Sequence, residues 1–282
     1  MTSAAPTAAI PGPGSLTWRY LGDWRLPLIS RRVLLLQVAH PVVGAGVADH
    51  SDFLQDRWGR LRRTSRSLFA VLGHNGTEAG LAEAMRLREL HKSIKGVDSS
   101  GRRYHALNPE AYLWVHATLF EGAVEVQRQL GRPLTDARLQ GLYEEWRGLA
   151  GVLGITDRHI PASVGDFESY FADMVDNHLE CNDTVRLLLR LDRRPFPPPP
   201  SWPLPAAIWT GLATPPTDLI RMITAGTLPP VLRERFGLPW TSADERRLRR
   251  LAAVIRTIDR TLPDRFRTFP THNLAAPRQA RS

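Results

Sequence analysis

Three short strings constrain this chain more than anything else in it. They are Arg60-Leu61-Arg62-Arg63-Thr64, Arg88-Glu89-Leu90-His91-Lys92-Ser93-Ile94-Lys95-Gly96 and Trp114-Val115-His116-Ala117-Thr118-Leu119-Phe120. Each sets Arg, Thr or His inside an otherwise apolar helical spacing. A polar group on a buried helix face costs free energy unless something pairs with it. The chain must turn these faces to water or close them around a partner. A cofactor with an iron centre and carboxylate tails is a partner of that kind.

The periodicity around the strings is helical throughout, with no run of alternating strands and no internal repeat, so the expected class is all-α. Several helix ends are readable. Ser51 can cap a helix to about Leu72, with Phe53, Leu61, Thr64, Leu68 and Val71 near one stripe. Thr77 can open the next and Gly96 close it. Asn108-Pro109 is a cap followed by proline at the first helical position, and Gly131 ends that helix. Thr135 begins another, to about Leu153. Asp166 can start a long helix through Met174, Leu179 and Leu187. Ser242 and Glu245 form a capping box ahead of a helix ending near Leu262-Pro263.

Residues 1–15 and 271–282 read as flexible tails, which leaves 16–270 as one helical domain. Pro195 to Pro205 holds seven prolines and is expected to be a stiff connector without helix. Only about 75 residues follow it, so the C-terminal helices are expected to wrap back onto the first part. The longest apolar run, Val33 to Val47, is broken by His40-Pro41 and falls short of the roughly 20 residues that span a bilayer. With no basic segment ahead of an apolar core at the N-terminus, no signal peptide is read. One cysteine, Cys181, forms neither an intramolecular disulfide nor a cysteine-based zinc cluster. The expected location is cytoplasmic.

The net charge is +9, yet Lys92 and Lys95 are the only lysines. The arginines are spread along the chain and alternate with Leu and Glu on helix faces. That distribution argues against a nucleic-acid surface, while peripheral contact with an anionic membrane stays compatible with the field.

By spacing alone, each string has two readings. Arg60, Arg63 and Thr64 share a face, which is either a solvated basic surface with snorkelling stems or a site for a carboxylate. His91 lies three residues after Arg88 and four before Lys95, flanked by Leu87, Leu90 and Ile94. It is either a satisfied core histidine or an axial ligand with cations beside it. His116 and Phe120 stand four apart in an aromatic stripe that suits a core as well as a cofactor pocket. His40-Pro41 ends an apolar run, and His50 abuts a turn. Several chemistries lack their residues. No histidine follows an acid by three positions, as carboxylate-bridged di-iron bundles require. There is no His-Glu-x-x-His, no Gly-x-Ser-x-Gly and no phosphate loop.

Taken in order, Ala39-His40-Pro41, Gly46-Val47, His50-Ser51-x-Phe53, Arg60-Leu61-x-x-Thr64, His91-x-x-Ile94-x-Gly96, Tyr104-x-Ala106-x-x-Pro109 and Trp114-Val115-His116-Ala117-Thr118 resemble the MpaB-type oxygenases, relatives of the latex-clearing rubber oxygenases. Leu228-Pro229, Leu232-Arg233 and Phe236-Gly237-Leu238-Pro239-Trp240 extend the likeness toward the C-terminus. The resemblance implies a globin-like helical core, haem b and O2-dependent cleavage of isoprenoid double bonds. It implies His91 as the iron ligand, with Arg60 as the cation near the cofactor and Thr64 in the same segment. Arg63, and by spacing Arg88 and Lys95, are expected around the cofactor as well. Arg60, Thr64, His40 and His116 are the expected catalytic candidates, His40 by proximity and His116 as a pocket-lining hydrogen-bonding group of the family pattern. Two departures stand out. Arg63 replaces a lysine able to reach the iron, and a guanidinium does not readily ligate metal. Val42 to Asp49 contains no glutamate to serve as the family's base, which leaves His40 and Asp49 as substitutes by proximity. The expected activity is haem-dependent oxidation or cleavage of a C=C bond in an apolar substrate. The alternative is a haem-binding sensor or carrier without turnover.

Overall fold

The computed structural model describes residues 9–52, 54–201 and 205–268. The all-α expectation holds. Twelve α-helices account for nearly all regular structure, and the one sheet among the described residues is a two-stranded hairpin, β1 (Lys95–Val97) against β2 (Arg103–His105).

The centre is a pair of crossing helices, α2 (Leu26–Ala39) and α6 (Pro109–Leu130). Helix α2 is apolar on most sides, and Ile29, Leu35, Leu36, Val38 and Ala39 are all fully enclosed. Helix α6 starts where the sequence says it should. The Asn108 side chain accepts a hydrogen bond from Ala111 N at 3.1 Å, and Pro109 occupies the first turn. Trp114 lies wholly inside and donates its indole N–H to Leu36 O at 2.8 Å, which pins α6 to α2.

At the crossing, Arg32 is only 1% exposed and donates to both Glu121 oxygens, at 2.5 and 2.7 Å. It also donates to Thr227 O at 2.7 Å, at the end of α10 (Ala206–Thr227). Burial works against this guanidinium's charge, and the Glu121 carboxylate outweighs it, so its pKa stays above the ordinary value.

Helix α3 (Pro41–His50) follows α2 across a bend of 103°. The bend sits at His40, which is extended (φ −70°, ψ 125°) as a residue before proline prefers to be. No single helix among the described residues is long and apolar enough to cross a membrane.

Helix α4 (Arg57–Val71) and α5 (Thr77–Ser93) form a hairpin. The expected start of α4 at Ser51 is corrected. Ser51 ends α3, and Asp56 caps α4 by accepting from Gly59 N at 2.7 Å. Both residue types cap well. Gly59 favours Asp56, because a Cβ there would fall 1.7 Å from the capping carboxylate. Phe53 lies outside the described residues. Thr77 opens α5 as expected, but the helix stops before Gly96, which pairs with Tyr104 in the hairpin.

Helix α7 (Asp136–Val152) begins at Thr135 as expected. The single long helix expected from Asp166 is two helices. α8 (Val164–Asp173) runs into a π-turn at Met174–His178, and α9 (Asp183–Leu191) starts afresh at Asn182. Asn182 explains the break. Its oxygen accepts from Val185 N, while its amide donates to Val38 O at 2.7 Å.

The proline-rich connector is not helical over 195–201 and lies against the start of α4. Trp58 donates to Pro197 O at 3.0 Å and Pro198 O at 3.1 Å, and its ring meets Phe196 edge-on. Helix α10 then packs along α2 despite Pro215 and Pro216 in its interior. The hydroxyls of Thr214 and Thr217 bond the carbonyls of Thr210 and Ala213, on either side of the two that the prolines leave unbonded. After α11 (Pro230–Arg235), α12 (Ser242–Thr261) packs on α6 and α10. Its capping box is Thr241 with Asp244, one residue earlier than the expected Ser242 and Glu245.

Candidate functional site

His91 sits in the last turn of α5, half-buried. Its Nδ1 lies 2.6 Å from Leu87 O, one turn back. A carbonyl oxygen only accepts, so Nδ1 carries the proton and Nε2 keeps its lone pair. The edge of the Tyr112 ring meets the imidazole at 5.5 Å and fixes its tilt. Burial lowers the His91 pKa, and the charges of Arg60 and Arg86 push the same way against the Leu87 bond. The result is a neutral imidazole of fixed tautomer with a free ring nitrogen. That is the state in which histidine binds a metal, with its second nitrogen donating to a backbone carbonyl.

Arg60 stands close enough to His91 for its charge to be felt there. Its Nε donates to Ser51 Oγ at 3.2 Å and its Nη1 to Thr64 Oγ1 at 3.0 Å. Both partners are neutral hydroxyls. The side chain is exposed, and its pKa is lowered, by partial desolvation first, with the attraction of Asp52 opposing and the repulsion of Arg63 adding to it. A guanidinium held by two neutral hydroxyls keeps donors for a carboxylate. Arg88 donates to Gly154 O at 3.2 Å and faces the Tyr112 ring electrostatically. Gly154 is in the left-handed region (φ +79°), and a Cβ there would strike Arg88 Nη1 at 1.6 Å.

The surroundings are apolar and open. Leu61 beside Arg60 is 50% exposed and Leu90 beside His91 is 48% exposed. Helix α3 carries Val42, Val43, Ala45 and Val47, yet only Gly44 in it is buried. Its far end supplies Ser51 to Arg60, and Gly46 lies against Ile94, just beyond His91.

These features fit a haem. His91 Nε2 would hold the iron, Arg60 and Arg88 would offer cations for carboxylate tails, and the exposed leucines and half-buried valines would offer apolar contact. Among the described residues no group of three or more His, Cys, Asp or Glu is arranged to hold a bare metal ion. A single imidazole suits a metal whose other ligands come with the cofactor.

The remaining candidates do not converge on this point. Arg63 shares a helix with Arg60, but its guanidinium is drawn to Asp52 and Asp56, with 3.2 Å to Asp56 Oδ2. Lys95 is exposed on β1. His116 is enclosed, stacked on Trp146 at 4.6 Å with an interplanar angle of 11°. Its Nε2–H donates to Trp146 O at 3.0 Å, and the Trp146 indole N–H donates back to His116 O at 3.1 Å. Burial pushes the His116 pKa down to about 4. It is a satisfied core histidine that joins α6 to α7. Asp49 is exposed and accepts a hydrogen bond from the Tyr104 hydroxyl at 2.5 Å. His40 is buried at the α2–α3 bend beside Glu110.

Sequence reasoning missed Ser51 as the partner of Arg60, Tyr112 against His91, and Arg86 as a second charge near the imidazole. Ser51 stood in the sequence as a helix cap and in the string His50-Ser51-x-Phe53, with nothing linking it to Arg60. Tyr112 had a signal, since it lies in the first turns of the best-capped helix, but no spacing connects it to His91.

Comparison with known proteins identifies the family. The family described as ER-bound oxygenase mpaB/B'/rubber oxygenase, catalytic domain, matches residues 18–257. An uncharacterized protein of Mycobacterium bovis and one of Mycobacterium tuberculosis are each 29% identical over 248 residues, covering 86% of this chain and 92% of theirs. No solved structure matches the chain significantly. The match takes in His91, Arg60, Thr64 and all of the core helices from α2 to α11, and the chain belongs to the mpaB/rubber oxygenase catalytic-domain family of oxygenases.

Proposed function

We propose that this chain is a haem b-dependent oxygenase that uses O2 to oxidise or cleave a carbon–carbon double bond in a small or medium apolar, isoprenoid-like substrate. The observation that carries the reading is His91, a neutral imidazole with Nδ1 committed to Leu87 O and Nε2 left free, beside a guanidinium held only by hydroxyls. When bound, haem b supplies the iron at which O2 is activated. His91 would hold that iron, and Arg60 and Arg88 would neutralise the haem carboxylates. Thr64 and Ser51 fix the Arg60 guanidinium. Leu61, Leu90 and the valines of α3 shed water from the site and favour an apolar substrate.

The experiment is oxygen uptake by the haem-reconstituted protein given a short polyisoprenoid, with product masses recorded. Uptake that needs both haem and alkene, with oxygenated products, supports the reading. A specific observation favours a second reading, a haem-binding carrier or sensor. Helix α3 carries no glutamate, and its one acid, Asp49, accepts a hydrogen bond from Tyr104. Tight haem binding with no uptake across a set of alkenes would establish that alternative.

A further inference from the structure

His40 is a buried histidine that the proposed site does not use and that keeps an unpaired ring nitrogen. Its side chain is 6% exposed, and its Nδ1 is buried with no hydrogen-bond partner in the chain. Its Nε2 points the other way, 3.9 Å from Glu110 Oε1 in the first turn of α6. The same carboxylate oxygen lies 3.6 Å from His178 Nδ1, and His178 Nε2 lies 3.1 Å from Asp173 Oδ2. Glu110, His178 and Asp173 are all exposed. The π-turn at Met174–His178 is what carries His178 to this point, and such turns recur at functional sites.

The order of these groups runs from the interior to water. Glu110 sits between two imidazoles, beyond hydrogen-bond distance from each by less than 1 Å. An exposed glutamate covers that difference by changing rotamer. The charges facing His40 are Glu110 from α6, His178 from the π-turn and Glu180 just after it, and Glu180 is paired with Arg102. The Tyr170 hydroxyl also lacks a partner and is held protonated, by burial first and then by the Glu110 charge. Burial lowers the His40 pKa, so the ring is neutral at pH 7. A neutral imidazole with its Nε2–H toward a carboxylate presents the Nδ1 lone pair to the interior. That is the disposition of a general base.

We infer that His40 and Glu110 form a buried acid–base pair, and that the Glu110 carboxylate, shared with His178, conducts protons between the interior and solvent. His40 Nδ1 takes a proton from an interior water or substrate group, and Nε2 releases one to Glu110. Glu110 swings and passes it to His178 Nδ1, whose Nε2 proton leaves to Asp173 or water. Use of the pair in turnover rests on the oxygenase reading; the pair itself does not.

The test is made on the full chain labelled with 15N-histidine, without added haem, so that its outcome is independent of cofactor binding. The His40→Gln variant identifies the His40 signals. The expected tautomer at pH 7 is Nε2–H with Nδ1 bare. Glu110→Gln is expected to lower the His40 titration midpoint by about one pH unit, a tenfold loss of proton affinity. It is also expected to slow exchange of the Nε2 proton with water. Glu110→Asp should recover part of the exchange rate, and His178→Asn should slow it with Glu110 intact. An Nδ1–H tautomer would overturn the inference, as would exchange that Glu110→Gln and His178→Asn both leave unchanged. Should Glu110→Gln fail to fold, His178→Asn alone decides. Failure here with normal haem binding refutes the pair, and failure of haem binding with this result intact refutes only the oxygenase reading.

Discussion

Arg60→Met separates function from stability at the proposed cofactor site. The substitution keeps an apolar stem of similar reach and removes the guanidinium. In the structure that guanidinium donates to Ser51 and Thr64, is desolvated, feels repulsion from Arg63 and has only the attraction of Asp52 to offset it. The protein without cofactor therefore loses two hydrogen bonds to accessible hydroxyls and gains relief from the repulsion of Arg63. The net change in its stability is expected within about 0.5 kcal/mol, as for ordinary exposed positions. Haem binding should respond differently. A hydrogen bond to a charged group contributes about 1.5–3 kcal/mol, so the affinity is expected to fall roughly 10- to 150-fold. The assay pairs haem titration, followed by absorbance, with urea unfolding of the cofactor-free protein. The affinity gap between wild type and variant should narrow as salt rises. A loss of affinity under about threefold would refute the role given to Arg60. So would destabilisation of the cofactor-free protein by more than about 2 kcal/mol, because the residue would then be structural.

Three further outcomes follow from the geometry. Glu121→Gln leaves the Arg32 charge buried without its counter-ion and is expected to cost about 3–5 kcal/mol in urea unfolding, whereas replacing both by Met should recover most of the loss; a single-variant cost under about 1 kcal/mol would contradict the pairing. The folded-state pKa of His116, about 4, lies below its unfolded value near 6.5, so its contribution is complete above about pH 6.5 and is lost as pH falls toward 4, at most about 3 kcal/mol; His116→Phe should flatten that slope, and an unchanged slope would refute the assignment. Asp56→Ala removes the α4 cap at a cost of about 1 kcal/mol and should raise backbone exchange in the first turn of α4, which hydrogen-exchange mass spectrometry reads directly.

Much of the fold was legible because it is set by local chemistry. Asn108-Pro109 and Thr135 cap the helices that the sequence assigns to them. Local signals failed where a distant partner decided. Asn182 breaks a continuous helical pattern because its side chain also reaches Val38, 144 residues away. Two prolines hid α10, and its start lies beyond the connector. Hydrophobic spacing ran on past the true start of α4, where Asp56 outcompeted Ser51 with the help of Gly59.

The site shows the same division. Arg60 and Thr64 share a face at i and i+4, and the structure keeps them in contact. Arg63 at i+3 was expected to join them. Acids seven and eleven residues upstream hold it elsewhere, in a turn that helical spacing does not describe. His116 could not be told from a ligand by sequence because Trp146, which stacks on it and bonds to it, lies on another helix. The pairing of His40 with Glu110 and His178 is likewise a product of the tertiary fold.

The central claim is that His91 Nε2 binds haem iron. Absorption spectra of the haem-reconstituted protein and of His91→Ala, recorded together, test it most directly. The account expects a histidine-ligated Soret band in the wild type that is shifted or lost in the variant, and restored in part by added imidazole. A wild type that stays colourless after reconstitution, or a Soret band that His91→Ala leaves unchanged, would contradict it.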